Sequence, residues 1–125
     1  MKLFRIILWI QTIYYFLTAA WGLIDTESFM LVTGPKTDVW LVKTVSVILL
    51  AITFSFISYL FIKTNYWPAI ILASSCCLFL ACIDFYYAGR KVISNIYLLD
   101  GILEIGLLIG WVVVIKSYKK QKYAL

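Results

Sequence analysis

Apolar residues fall into four long runs, near positions 3–24, 39–62, 66–88 and 94–116. Each has about the 20 residues a helix needs to cross roughly 30 Å of hydrocarbon. Polar residues gather between them in "DTESFMLVTGPKTD" (25–38), "KTN" (63–65) and "GRKVIS" (89–94). The pattern predicts an all-α polytopic membrane protein, a four-transmembrane-helix antiparallel bundle forming a single domain over residues 1–125. The first run opens with Lys2 and Arg5, as a signal peptide would, but its apolar core exceeds the 7 to 15 residues of a signal. It is read as a retained helix. In the first connection Gly34-Pro35 breaks helix, Thr37 or Asp38 can cap the next one, and "TESFMLV" reads as a short segment lying in the interface. The second connection is so short that the second and third runs should form a tight antiparallel hairpin, with Pro68 in the first turn of the third. Residues 117–125 read as a basic tail.

Composition narrows the class. Of 125 residues, 64% are hydrophobic and 14% charged, far from the roughly 25% charged of a soluble domain. The net charge of +5 does not point to nucleic acid, because the bases flank apolar runs and form no patch interleaved with aromatics. They act as topology signals. Four crossings put Lys2, Arg5, Lys63, Lys116, Lys119, Lys120 and Lys122 on one side, against Lys36, Lys43, Arg90 and Lys91 on the other. Both termini are therefore expected in the cytoplasm. Trp21, Trp40, Tyr66, Trp67, Tyr86, Tyr87 and Tyr118 lie near run ends, as an aromatic belt requires. With no His, and with Cys76, Cys77 and Cys82 in one apolar run without a CxxC, neither zinc nor haem is expected. The cysteines read as small packing residues, and no metal or cofactor is predicted.

Against this background "YLLDGILEIG" (97–106) stands out, because Asp100 and Glu104 share a helix face inside a span. An acid at the centre of such a helix costs about 2.5 to 3.5 kcal/mol. All six acids belong to the external half or the midplane. At about 1.5 Å per residue, Lys43 sits roughly 6 to 8 Å below the external surface, Asp84 about 6, Asp100 about 9 and Glu104 about 15. Ionisable groups at these depths face a bundle interior or a watery cavity and pair with one another. Glu104, Asp100, Asp84 and Lys43 are thus candidates for one site, with Tyr97 at its rim and Arg90 as a further candidate.

Helical phase adds detail. Tyr97, Asp100, Glu104 and Trp111 share a face that Gly106 and Gly110 do not, while Asp84 shares one with Ala73, Cys77, Ala81 and Ala88. Lys43 is placed with Ser46, Val47, Leu50 and Phe54. Gln11, Tyr14, Tyr15, Thr18, Gly22 and Asp25 form a polar stripe on the first run, of which Gln11, Tyr15, Thr18 and Asp25 are secondary candidates. The expected result is a pocket open outward and closed below. Plainer readings stand beside it: a buried ion network that fixes register, a stripe satisfied between helices, glycines that let helices pack closely, and a tail anchored to anionic lipid.

"QTIYYFLTAAW", "VTGPKTDVWLVKTV" and "DFYYAGRKVISNIYLLDGILE" together resemble a group of small, uncharacterised bacterial four-helix integral membrane proteins. The resemblance covers most of the chain and includes Gln11, Tyr15, Thr18, Asp84, Arg90, Tyr97, Asp100 and Glu104; it departs at Gly101, where alanine is expected, and Lys43 stands where arginine is as usual as lysine. It implies the bacterial cytoplasmic membrane and no particular chemistry. A more distant likeness to DoxX-like proteins concerns architecture alone.

Three functions follow as expectations. The first is binding or transport of a proton, a cation or a small amine-bearing or polar ligand entering from outside, since neighbouring carboxylates at reduced dielectric can share a proton. The second is a membrane enzyme acting on a lipid or isoprenoid, with the carboxylates as acid and base. The third is a structural or accessory subunit that meets a second copy or another membrane protein through Gly106 and Gly110. Membrane lipids are expected neighbours in every case.

Overall fold

A computed structural model describes residues 2–34, 37–62 and 65–124, with side chains as far as Lys120. Pro35, Lys36, Lys63 and the Lys122 side chain lie outside the described residues, as do the expectations attached to them. Five helices account for most of the rest: α1 (Lys2–Ile24), α2 (Thr26–Thr33), α3 (Val39–Phe61), α4 (Trp67–Gly89) and α5 (Ile96–Ala124). Four of them are long and apolar enough to span a membrane. The chain is an all-α polytopic bundle.

Local chemistry explains the breaks. Asp25 ends α1 and caps α2, its carboxylate accepting the Ser28 backbone N–H at 3.2 Å; Asp and Ser favour such positions because their side chains satisfy the orphan groups of a helix end. Gly34 stops α2 with φ +102°, a conformation that L side chains rarely adopt. Asp38 occupies the N-cap of α3 but makes no side-chain capping bond there. Pro68 lies in the first turn of α4, where a missing N–H costs nothing.

Two sequence expectations change. The basic tail is the last part of α5, because "KSYKKQKYA" holds good helix formers and neither Gly nor Pro. The second and third spans, α3 and α4, do not form a tight hairpin. Instead α1 packs along α3 and α4 along α5, the two pairs meet where α1 touches α5, and α3 touches α4 only sparsely. A short link makes helices sequential neighbours; which faces fit decides the packing.

Gly22 is one of those fits. A Cβ there would run into the Ser46 hydroxyl, so glycine sets how closely α1 approaches α3. The α4 face of Ala69, Ala73, Cys77, Ala81 and Ala88 is buried in the same way, since small residues let helices close together without a hydrophobic drive between them. Serine and threonine hydroxyls satisfy themselves: Thr12, Thr18, Ser46 and Thr53 each donate to the carbonyl four residues back. The main core lies toward the chain termini, around Phe4, Leu8, Phe56, Leu60, Ile70, Trp111 and Val114. Aromatic rings tighten it, with Phe4 4.4 Å from Tyr66 and 5.8 Å from Trp111 between centroids. The opposite end, spanned by α2, is where packing gives way to a cavity.

Candidate functional site

A cavity of about 350 Å³ occupies the α2 half of the bundle. α1 contributes Tyr14, Tyr15 and Thr18, and α3 a largely apolar wall of Leu41, Val42, Val45, Ser46 and Leu49. Facing that wall are Leu80, Ile83 and Asp84 of α4, then Tyr97, Asp100 and Glu104 of α5. Counting about 1.5 Å per residue from the helix ends, Asp100 lies about 6 Å in, Asp84 about 8 Å and Glu104 about 12 Å. The depths overlap, and so the three carboxylates meet one space.

Glu104 forms its floor. It is 1% exposed, and its Oε2 accepts the Tyr15 hydroxyl at 3.1 Å. The Cys77 thiol lies on the same carboxylate. Tyr15 comes from α1, Cys77 from α4 and Glu104 from α5, which ties three helices together where cavity meets core. Asp84 is buried too, 5% exposed, but its Oδ2 has no hydrogen-bond partner. Asp100 is half-buried and lines the same cavity. Among the described residues no Lys or Arg pairs with any of the three.

The other candidates are placed elsewhere. Lys43 is exposed and lines a separate cleft with Asp25 and Glu27. The buried line of α3 runs through Val42, Ser46, Thr53, Phe56 and Leu60, one residue out of phase with the face assigned to Lys43. That 100° offset turns the lysine outward, and the expected lysine–carboxylate network does not form. Arg90, at the end of α4, donates to the Tyr86 hydroxyl at 2.6 Å and stacks over its ring. Gln11 lies deeper than the cavity, accepting the Trp111 indole N–H at 2.6 Å and donating to the Ala73 carbonyl at 3.1 Å. Thr18 reaches the cavity with its O–H already given to the Tyr14 carbonyl. Gly110 packs against Ile7 of α1, whereas Gly106 meets nothing within 4 Å.

Sequence reasoning missed two things. One is Phe29 of α2 in the lining: α2 touches α1, α3 and α5 and lies across the end where an open mouth was expected. Trp21 fixes it there through an indole bond to Ser28 at 3.1 Å and an edge contact with Phe29 at 5.3 Å. The other is the apolar wall of Leu41, Val42, Val45 and Leu49 around Ser46, a feature that the correct phase of α3 would have shown. Comparison with known protein families, curated proteins and solved structures finds no match.

Proposed function

We propose that the chain binds a small positively charged species, either a proton, a cation or a cationic polar ligand, in this acidic pocket, and serves its binding or transport at the bacterial cytoplasmic membrane. One observation carries the reading: three carboxylates border a single cavity with no Lys or Arg among the described residues paired to them. Polar groups that served only to hold helices together would be matched with one another, as Gln11 and Trp111 are. Glu104 is matched to Tyr15, but Asp84 keeps an oxygen without a partner, and acids at depth without a base call for positive charge. With both termini in the cytoplasm, as the distribution of bases favours, the pocket opens in the outer half of the membrane.

Glu104→Gln tests this reading. Glutamine keeps an acceptor for Tyr15 and nearly the same volume, so helix content and elution volume should not change. Binding of protons, sodium and methylammonium, followed by thermal shift and by pyranine fluorescence in liposomes, should weaken at least tenfold for the species that the wild type binds. Equal responses from the two proteins would overturn the proposal.

A further inference from the structure

Charge alone does not describe the cavity. Its α3 wall is apolar but for Ser46, Phe29 adds to that surface, Tyr15 bonds Glu104, and the acids lie on the α4 and α5 side only. A hydrated inorganic ion gains nothing from the first surface. Among the described residues Asp84, Asp100 and Glu104 do not close into a set of three ligands around one point. Asp84 lines the space, is 5% exposed, and keeps an Oδ2 without a hydrogen-bond partner. What satisfies it must donate a hydrogen bond, and an N–H from a cation does so about twice as strongly as a neutral donor. Tyrosine rings also attract organic cations. At about 350 Å³ the cavity lies at the small end of ligand sites.

Access points the same way. α2 crosses the end of the bundle, α1 is packed on α3, and α4 on α5. The side left without close packing is the gap between α3 and α4, whose rims, Leu41 and Val45 on α3 and Ile83 on α4, are exposed and apolar. A ligand entering there passes through the hydrocarbon region.

We infer that the cavity is a site for a small amphiphilic amine, its ammonium group held on the side of Asp84, Asp100 and Glu104 and its apolar body laid against Leu41, Val45 and Leu49. The inference rests on the reading of the pocket as a cation site and narrows its ligand. The probe is radiolabelled phenethylamine, protonated at neutral pH, in equilibrium dialysis against the full chain in lipid nanodiscs. Empty nanodiscs correct for partitioning; 2-phenylethanol, methylammonium and sodium serve as competitors.

Saturable binding of phenethylamine that is at least tenfold weaker in Asp84→Asn, and is not displaced by 2-phenylethanol, supports the inference. So does weakening in Leu49→Trp, which fills the apolar side and leaves the acids in place. Asp100→Asn replaces Asp84→Asn if the latter fails to fold, as judged by circular dichroism and elution volume. Equal competition by 2-phenylethanol would mean that charge is not read, and equal competition by methylammonium or sodium that the apolar wall is not; either overturns the inference. The sodium or methylammonium result would leave the broader proposal standing. Absence of saturable phenethylamine binding overturns the inference, while the broader proposal is decided by the proton, sodium and methylammonium responses of Glu104→Gln.

Discussion

Gln11 shows how much one buried polar residue can organise. Its amide accepts from Trp111 and donates to the Ala73 carbonyl, so a single side chain on α1 reaches both α4 and α5. Interhelical hydrogen bonds in membrane proteins contribute about 0.6 kcal/mol on average and up to about 1.7. Gln11→Leu should therefore lower stability in a detergent unfolding titration by about 1 to 2 kcal/mol, because it also leaves the Trp111 N–H buried and unpaired. Trp111→Phe in the Gln11→Leu background should cost less than Trp111→Phe alone, and strict additivity would show that the two residues do not interact. Gln11 was legible in the sequence as part of a polar stripe on the first run, and Trp111 as a residue on the face of Glu104. Their bond was not, because the two are 100 positions apart and nothing local relates them.

At the scale of elements, legibility followed amphipathicity. The buried face of α5 matches the phase of Glu104 and Trp111, and that of α4 matches Ala73, Cys77 and Asp84, since polar or small residues mark one side of each. α3 is apolar nearly all round, and the choice of its inner face belongs to Gly22 and its α1 neighbours. A lysine stem can lie along apolar surface while its ammonium reaches water, so Lys43 carries less information about phase than a short carboxylate does. Gly22→Val should destabilise the α1–α3 pair by about 1 to 3 kcal/mol, the usual cost of overpacking a fitted contact, measured by thermal unfolding. Gly106→Leu should stay within about 0.5 kcal/mol of wild type in the same assay, because nothing in the described chain meets that position; a large loss would show that this face is covered.

For the whole molecule, hydrophobic periodicity predicted four spans but not their arrangement. Loop length suggested neighbours, whereas side-chain fit paired α1 with α3 and α4 with α5. Space follows from that arrangement, and so does the cavity, which no run of sequence describes. Filling it should reveal a trade between stability and binding. Val45→Phe should raise the unfolding free energy by about 0.5 to 1 kcal/mol by adding contacts in the gap, while abolishing amine binding in the dialysis assay.

The two helix pairs resemble the boards of a half-open book whose spine is the seam of α1 on α5. Bilayer lateral pressure presses on the outer faces of both boards, and the interior volume is what a small change in their angle alters most. Lipids that differ in acyl-chain packing would then act on this protein as a clamp of adjustable force, setting how much room Asp84 and Glu104 leave between them and the α3 wall.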